Sequence, residues 1–346
     1  MILSVILPVH NTAKYLPKCI ESIVKQGLDS KDFEIIVVEN ASTDNSLAVC
    51  HRLKELFKDN EITIIHTDEP GVGNARNLGI QSSHGEYIHF VDSDDWIEDG
   101  MYLRLMSEND KRYDLLVTGI RNDFERRKQN LIDEVPSGMS ICENNREISN
   151  FLSQMDAKQK VWALNVIWNK WYKAELLRKY GLCFRKDINL GEDFIFNCSY
   201  FEKLCSMKVV SVAYYHYMHR GTVSLVNKFR TDVLYRRPII YAAYCKLYGH
   251  YGILKSNQRK IDLLEGKLLF GSLYSIFNKD CDLSFVGKIN FLKQNCESDY
   301  FIKFGLPYLK SSNMVYHKLL YSAILYKKYR CVYLLLHIKL ILKRNK

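Results

Sequence analysis

The side chains in this 346-residue chain that first point to chemistry are Asp92, Ser93, Asp94 and Asp95. They follow the mainly apolar run of residues 88–91. Carboxylates at the end of a buried strand are costly unless a cation or hydrogen bonds compensate their charge. Mg²⁺ and Mn²⁺ prefer oxygen ligands and commonly join one or two carboxylates to substrate phosphates. The run therefore predicts a divalent-metal site that holds a nucleotide diphosphate.

A second interpretation of this run stays open, in which Asp94 or Asp95 caps a helix that begins at Trp96. Another acidic pair, Glu192 and Asp193, precedes an apolar run. A carboxylate here could take the proton from an attacking hydroxyl group. The same pair also fits the first turn of a helix, where the helix dipole stabilises acidic side chains.

Alternating strand and helix patterns surround these acids. Runs of β type occupy residues 2–9, 33–38, 62–65 and 87–91, and residues 115–119 and 208–214 are further strand candidates. Helical periodicity separates the first four runs, with Thr12 as the predicted cap of the first helix and Gly71 opening the third. This alternation predicts right-handed crossovers, and hence an α/β fold with a mostly parallel sheet and flanking helices.

Candidate chemical groups fall where predicted strands end. His10 follows the first strand, Glu39 and Asn40 follow the second, and Asp92 follows the fourth. In an open parallel sheet, ligands bind at the carboxyl ends of the strands, where the loops emerge. We therefore expect these groups to share one edge of the sheet and one ligand.

The net charge of +10 is confined to the end of the chain. Residues 300–346 contain ten Lys/Arg and no Asp/Glu, and the pattern from about residue 232 onward is helical and Tyr-rich. The apolar runs 314–326 and 331–342 are each shorter than the roughly 20 residues that span a bilayer. These features predict a helical region at the surface of an anionic membrane. A helical cap with solvated lysines remains the alternative, and the chain has no motif for reading nucleic acid.

Cysteine usage and composition indicate the compartment. With 47% hydrophobic and 25% charged residues, the chain is typical of a folded globular protein rather than a disordered one. Its ten cysteines form no CxxC pair and show no zinc spacing, and no charged segment precedes the first apolar run. We therefore expect reduced thiols and a cytoplasmic location. Together with the basic C-terminal region, this predicts a position at the inner face of the cell membrane.

Five stretches, taken together, resemble family 2 of the inverting glycosyltransferases of bacterial surface-polysaccharide synthesis. They are SVILPVHN (4–11), EIIVVENASTD (34–44), GVGNARNLG (71–79), YIHFVDSDDW (87–96) and GED (191–193). The resemblance covers some 190 residues. It implies a Rossmann-like GT-A catalytic domain over residues 1–225, followed by a helical basic region over 226–346.

The resemblance also implies roles in binding the nucleotide sugar. Pro8 and His10 would border a uracil ring, and Glu39 would accept the N–H of the base. Arg76 and Arg220 would reach the diphosphate. Asp92 and Ser93 would lie near the ribose and the metal's water shell, and Asp94 would ligate Mn²⁺ or Mg²⁺ directly. Two positions depart from the usual pattern. His10 stands where the family usually has Tyr, and Glu39-Asn40-Ala41 replaces Asp-Asp-Gly. As alternatives, Glu39 is a carboxylate at a helix entry and Arg76 a surface ion pair.

The remaining implied roles concern the sugar and its acceptor. Asp193 would be the catalytic base, with Glu192, Trp168 and Lys170 lining the acceptor and sugar pocket. Residues 214–224 match an aromatic–Arg–Ser stretch that closes the donor site, where His216 or His219 would complete the metal coordination. Trp168 as a core side chain, and both histidines as structural residues, remain alternatives.

The implied reaction is the metal-dependent, inverting transfer of a hexose or N-acetylhexosamine from a UDP-sugar to an acceptor hydroxyl group, that of a lipid-linked saccharide. Two other classes stay open. A nucleotidyltransferase would carry a Gly-rich, basic loop after the first strand, where this chain has VHNT (9–12). A non-catalytic binding protein with a decayed site is disfavoured because Asp92, Asp94 and Asp193 are all present.

Overall fold

A computed structural model describes residues 1–124, 131–133, 141–155, 161–220 and 228–344. The chain forms two compact units, Met1–Thr222 and Val223–Lys346. The first unit is α/β and the described part of the second is helical. The predicted α/β class and the helical C-terminal region are confirmed.

In the described residues, ten strands of the first unit form one sheet. They are β1 Leu3–Val9, β2 Phe33–Asn40, β3 Glu61–Thr67, β4 Tyr87–Phe90, β5 Trp96–Ile97, β6 Leu115–Phe124, β7 Leu131–Asp133, β8 Ile141–Cys142, β9 Lys170–Lys173 and β10 Met207–His219. The main order is β3-β2-β1-β4-β9-β6-β10-β5. Strands β3, β2, β1, β4, β6 and β10 run in one direction, and β9 runs against its neighbours β4 and β6.

The sheet is flanked by α1 Leu16–Val24, α2 Ser46–Leu56, α3 Val72–Ser82, α4 Met101–Glu108, α5 Asn145–Gln154, α6 Ala174–Tyr180 and α7 Glu192–Phe201. Every residue of β1, β2 and β4 is buried, as expected for parallel strands with both faces covered. Helix α3 packs very closely on β1, since a Cβ atom at Gly79 would lie 2.3 Å from Ile6 Cγ2. This close packing fixes the position of the side chains that α3 presents to the end of the sheet.

Two local predictions are wrong. Helix α1 begins at Leu16 rather than after a Thr12 cap, and the Thr12 hydroxyl instead lies 2.9 Å from Ser93 Oγ. Trp96 begins the short strand β5 rather than a helix, so neither Asp94 nor Asp95 is a helix cap. The acidic run is therefore a loop between two strands.

The second unit contains α8 Val233–His250, α9 Leu254–Ser272, α10 Phe285–Cys296, α11 Asp299–Ser311, α12 Val315–Leu325 and α13 Tyr329–Arg344. Its core includes Leu292, Phe301, Leu320, Val332 and Leu336. Among the described residues, no helix has both the length and the apolar character needed to cross a membrane.

Candidate active site

The predicted site residues lie along one edge of the sheet. Because β1, β2, β4 and β10 run in the same direction, His10, Glu39, Asp92 and Arg220 lie at their carboxyl ends. Strand β9 is inverted, so its first residue, Lys170, starts from the same edge. Sequence positions from 10 to 220 therefore meet where open α/β sheets bind ligands.

Arg76 joins the two acidic groups that are far apart in sequence. Its Nη1 donates to Asp193 Oδ1 over 2.7 Å, and its Nη2 donates to Asp92 Oδ1 over 3.1 Å. Glu192 Oε1 lies 3.5 Å from Nη1. The guanidinium is buried, with only 3% of the residue exposed. Arg76 is therefore a buried bridge between the acidic loop and α7, and not a surface ion pair.

Neighbouring contacts hold Arg76 in this position. Asn77 and Phe184 exchange two hydrogen bonds, from Asn77 Nδ2 to the Phe184 carbonyl (2.9 Å) and from Phe184 N to Asn77 Oδ1 (2.8 Å). The Phe184 ring then lies 5.3 Å from the Arg76 guanidinium carbon. Arg76 Nε is buried and has no hydrogen-bond partner among the described residues.

The charges around Arg76 shift its own pKa and that of Asp193. Burial raises the pKa of Asp193 to about 7; the Arg76 charge lowers it, and Glu192 and Asp92 raise it. Burial opposes the charge on Arg76, but the surrounding acids outweigh it and raise the pKa of Arg76 above its ordinary value. A carboxyl group with a pKa near neutrality is well matched to general-base chemistry at physiological pH.

Ser93 and Asp95 hold the acidic loop in place. Asp95 is almost fully buried and accepts hydrogen bonds from the Tyr215 hydroxyl (3.0 Å) and from Met218 N (2.9 Å). Burial, together with the charges of its acidic neighbours, raises the pKa of Asp95 well above its usual value. Asp92 and Asp94 remain open to solvent, with 26% and 42% of their side chains exposed.

Asp92 and Asp94 are half-buried carboxylates, which provide the oxygen ligands that a divalent metal ion prefers. Asp94 Oδ2 pairs with Arg220 Nη1 over 2.7 Å, and the Arg220 guanidinium carbon lies 4.1 Å from the centre of the Tyr15 ring. Burial and the nearby charge of Asp92 raise the pKa of Asp94, against the opposing effect of Arg220. The two neighbouring carboxylates therefore favour a cation at this position. In this structure the cationic group beside Asp94 is the Arg220 guanidinium. Two carboxylates suit a hard ion that takes its other ligands from water and phosphate.

A cavity of about 200 Å³ adjoins this loop. Its walls include Lys14, Lys18, Asp94, Trp96 and Arg220. Three of these side chains are cationic, and guanidinium and ammonium groups are the usual partners of phosphate oxygens.

The two candidate histidines have protein partners. His216 Nδ1 lies 2.7 Å from Asp123 Oδ2, and the imidazole stacks on Trp96 at 3.4 Å between ring centres. Burial lowers the pKa of His216 despite that aspartate. His219 Nε2 lies 2.8 Å from Asn122 Oδ1. Metal ligation by either histidine stays a prediction. The end of the matched stretch, residues 221–224, lies outside the described residues.

A histidine that the sequence did not single out lies at the predicted nucleobase position. Glu39 is almost fully buried, and its carboxylate accepts a hydrogen bond from Ser42 N (2.7 Å) and lies 2.6 Å from His66 Nδ1. Burial opposes the Glu39 charge, but these hydrogen bonds outweigh it and lower the pKa of Glu39. His10 Nδ1 lies 2.7 Å from the Asn40 carbonyl oxygen. His66 directly follows the strand predicted over residues 62–65, and a polar side chain at such a strand end is the sequence signal that points to it. In the structure β3 lies beside β2, which places His66 next to Glu39.

The other predicted pocket residues are mostly buried. Trp168 is 4% exposed and stacks against Tyr215 (4.1 Å) and Tyr217 (5.4 Å). The Lys170 ammonium donates to the Val166 carbonyl (2.6 Å) and to Asn169 Oδ1 (2.7 Å). Burial lowers the pKa of Lys170 well below its usual value, although Asp193 opposes this shift. Pro8 lies buried within β1.

Residues 4–181 match glycosyl transferase family 2, and this match covers more than half of the chain. The protein belongs to this family and is a glycosyltransferase. It is 26% identical over 253 residues to the uncharacterized glycosyltransferase EpsJ of Bacillus subtilis (strain 168), a match covering 73% of this chain and 71% of EpsJ.

A second relative is poly(ribitol-phosphate) beta-N-acetylglucosaminyltransferase TarS of Staphylococcus aureus (strain Mu50 / ATCC 700699). It is 26% identical over 215 residues, which are 62% of this chain and 35% of TarS. The crystal structure of S. aureus TarS 1-349 in complex with UDP-GlcNAc matches with a TM-score of 0.62 at 19% identity, over 97% of this chain and 91% of that one. This likeness shows the GT-A fold.

Proposed function

We propose that this glycosyltransferase moves a hexose or N-acetylhexosamine from a UDP-sugar to an acceptor hydroxyl group, with inversion at the anomeric carbon and with Mg²⁺ or Mn²⁺ bound. TarS supports the donor class, since it was crystallised with UDP-GlcNAc and is named a beta-transferase. The observation that carries the proposal is the Arg76 bridge, which brings Asp92 and Asp193 to opposite ends of one guanidinium.

In the proposed reaction, Asp193 is the general base. Its carboxylate takes the proton of the acceptor hydroxyl while that oxygen forms a bond to the anomeric carbon. The bond from this carbon to the diphosphate oxygen breaks on the opposite face, and the electron pair leaves with UDP. Burial supports this role, because it places the pKa of Asp193 at about 7.

The departing diphosphate gains negative charge, which nearby cationic side chains would stabilise. We propose that Arg76 and Arg220 donate hydrogen bonds to its oxygens. When bound at Asp94 and Asp92, the divalent ion would supply further positive charge for the same leaving group. Ser93 and Asp95 would keep the loop in register through their bonds to Thr12, Tyr215 and Met218.

For the nucleotide, we propose that Pro8 and His10 border the uracil ring and that Glu39 accepts its N–H. A carboxylate oxygen can accept more than one hydrogen bond, so the contacts to Ser42 and His66 leave capacity for the base. For the sugar and acceptor, we propose Lys170 and Glu192 as lining residues beside Asp193. Trp168 would support them from beneath the Tyr217 ring.

We further propose a lipid-linked saccharide as the acceptor, in the synthesis of a surface polysaccharide at the cytoplasmic face of the membrane. The name of TarS, a poly(ribitol-phosphate) beta-N-acetylglucosaminyltransferase, supports a polymeric acceptor. The concentration of ten Lys/Arg and no acid in residues 300–346 supports work beside an anionic surface.

The test combines binding with turnover. A panel of nucleotide sugars is screened for Mn²⁺-dependent release of the nucleoside diphosphate, and UDP with Mn²⁺ is tested for thermal stabilisation. Saturating ligand at about 100 times its Kd stabilises the bound form by about 2.7 kcal/mol. We expect Asp94→Ala to lose this stabilisation. Asp193→Asn should keep it while turnover falls by about 10²–10⁴-fold.

Asp99→Ala is the matched control, because Asp99 is an exposed acid of the same loop region. If the Asp94 and Asp193 variants bound UDP and turned over like this control, the assignment of the site would be wrong. Release of pyrophosphate in place of UDP would indicate a nucleotidyltransferase.

A further inference from the structure

Helices α12 and α13 expose apolar side chains at helical spacing. On α13, Leu334, Ile338 and Ile341 follow one another at intervals of four and three residues, and each is between 46% and 57% exposed. On α12, Val315 and Leu319 are four residues apart and 71% and 52% exposed. Residues at these intervals lie on one side of a helix. Helix α13 therefore has an apolar stripe that faces solvent, and α12 adds a pair of exposed apolar side chains.

The opposite sides of both helices are already used. Leu320 and Ile324 of α12, and Val332 and Leu336 of α13, are buried in the core of the helical unit. A helix that is apolar on all sides is normally covered on all sides. Contiguous apolar surface on a folded protein commonly marks a binding surface. The exposed apolar side chains are therefore not needed to hold the helical unit together.

The charged side chains carried by α12 and α13 themselves are all basic. Arg330 and Lys339 of α13 and Lys318 of α12 are exposed, and residues 300–346 include no acidic side chain. A second copy of this surface would bring like charges together, which is costly at an interface. A nucleic acid would satisfy the charges but would make no use of leucine, isoleucine and valine, because phosphate contacts are polar.

We propose that these exposed side chains, Val315 and Leu319 on α12 and Leu334, Ile338 and Ile341 on α13, dock on an anionic phospholipid surface. The aliphatic side chains enter the boundary between headgroups and acyl chains, and the lysine and arginine side chains reach the headgroup phosphates. Helix α13 has 16 residues, and at about 1.5 Å per residue it is shorter than the roughly 30 Å hydrocarbon layer. The helix therefore lies in the plane of the interface. This attachment is independent of which sugar is transferred.

The experiment is flotation of the full chain with vesicles of phosphatidylglycerol and phosphatidylcholine, or of phosphatidylcholine alone. We expect binding to the anionic vesicles, weaker binding to the neutral ones, and a several-fold loss at about 0.5 M salt, where the Debye length falls to about 4 Å. Ile338→Glu should lower the partition coefficient by about tenfold or more, because it places a negative charge in the apolar stripe.

Leu268→Glu is the matched control, since Leu268 is a leucine of α9, outside α12 and α13, and is 44% exposed. Circular dichroism and melting curves establish folding, and Ile338→Ser is the milder variant should Ile338→Glu melt early. Unchanged flotation of both folded Ile338 variants would overturn the proposal, as would equal binding to neutral vesicles. So would a dimer that Ile338→Glu dissociates, in a chain that does not float. The readout involves no catalysis, so failure here would leave the proposed reaction untouched.

Discussion

Replacing Asp193 by asparagine should stabilise the protein while removing the proposed catalytic base. In the folded protein the pKa of Asp193 is raised from 3.8 to about 7, chiefly by burial. Holding this carboxylate ionised then costs roughly 4 kcal/mol, at 1.36 kcal/mol for each factor of ten in proton affinity. Because 20% of the side chain is still exposed, we expect about 2–4 kcal/mol in practice. Asparagine has nearly the same shape and keeps an oxygen for Arg76.

The sign of the pH dependence follows from the direction of this shift. A carboxyl group whose pKa is higher in the folded protein contributes stability that is complete below the unfolded value, near 3.8, and is lost as the pH rises through about 7. The asparagine variant lacks this titration. Its advantage over the wild type should therefore be close to zero near pH 4, grow with pH, and level off above about pH 7.

Denaturant and thermal unfolding at several pH values measure this difference. For a unit of this size, an advantage of about 2–4 kcal/mol at pH 8 corresponds to an increase in Tm on the order of 5–10 °C. Asp59→Asn is the control, since it makes the same change of side chain at an exposed position outside the site. If Asp193→Asn gained no stability at pH 8, or gained the same amount at pH 4, the raised pKa would be refuted.

Three further predictions concern the same edge of the sheet. The turnover rate at low substrate concentration should rise with pH through about 7, because Asp193 loses its proton over this range. A pH–rate profile that falls over the same range would contradict the proposed role of Asp193 as base. Arg76→Lys keeps one positive charge but loses the fork that reaches two acids, so we expect about 1–3 kcal/mol less stability in denaturant unfolding; a neutral result would show that the bridge is unimportant. His66→Phe removes the partner of Glu39 and should weaken UDP binding several-fold with little change in kcat, by calorimetry and steady-state kinetics. Equal effects on His66→Phe and on the exposed His51→Phe would exclude a role in nucleotide binding.

Strands β1, β2 and β4 could be located from the sequence because they are short apolar runs buried on both faces. Strand β9 could not, since its sequence KWYK begins with Lys170, a residue type that is rarely buried. The buried Lys170 ammonium is satisfied by the Val166 carbonyl and Asn169 Oδ1, which lie just before it in the chain but form no recognisable sequence pattern. Strand β5 could not be predicted either, because it has only two residues. It is defined by its pairing with β10, and a segment this short has no periodic sequence pattern.

For the site, the sequence located the acids and Arg76 but not how they are connected. The pairing of Arg76 with Asp193 spans 117 residues of chain and depends on where α3 and α7 lie relative to the sheet. The role of His66 could not be predicted with the others, because β3 is only partly buried and a single histidine belongs to no motif with a recognisable residue spacing. Its significance depends on Glu39, which lies opposite it in the neighbouring strand.

The shared guanidinium of Arg76 couples the effects of substitutions at its own position and at the three acids that it joins. Loss of the arginine alone would leave Asp92, Glu192 and Asp193 facing one another without a counter-charge. Loss of an acid would alter the proton affinity of those that remain. The effects of single substitutions should therefore not add up in a double-mutant cycle. Arg76, Asp92, Glu192 and Asp193 are therefore expected to behave as one energetically coupled group, in which the cost of changing one residue depends on the identity of the other three.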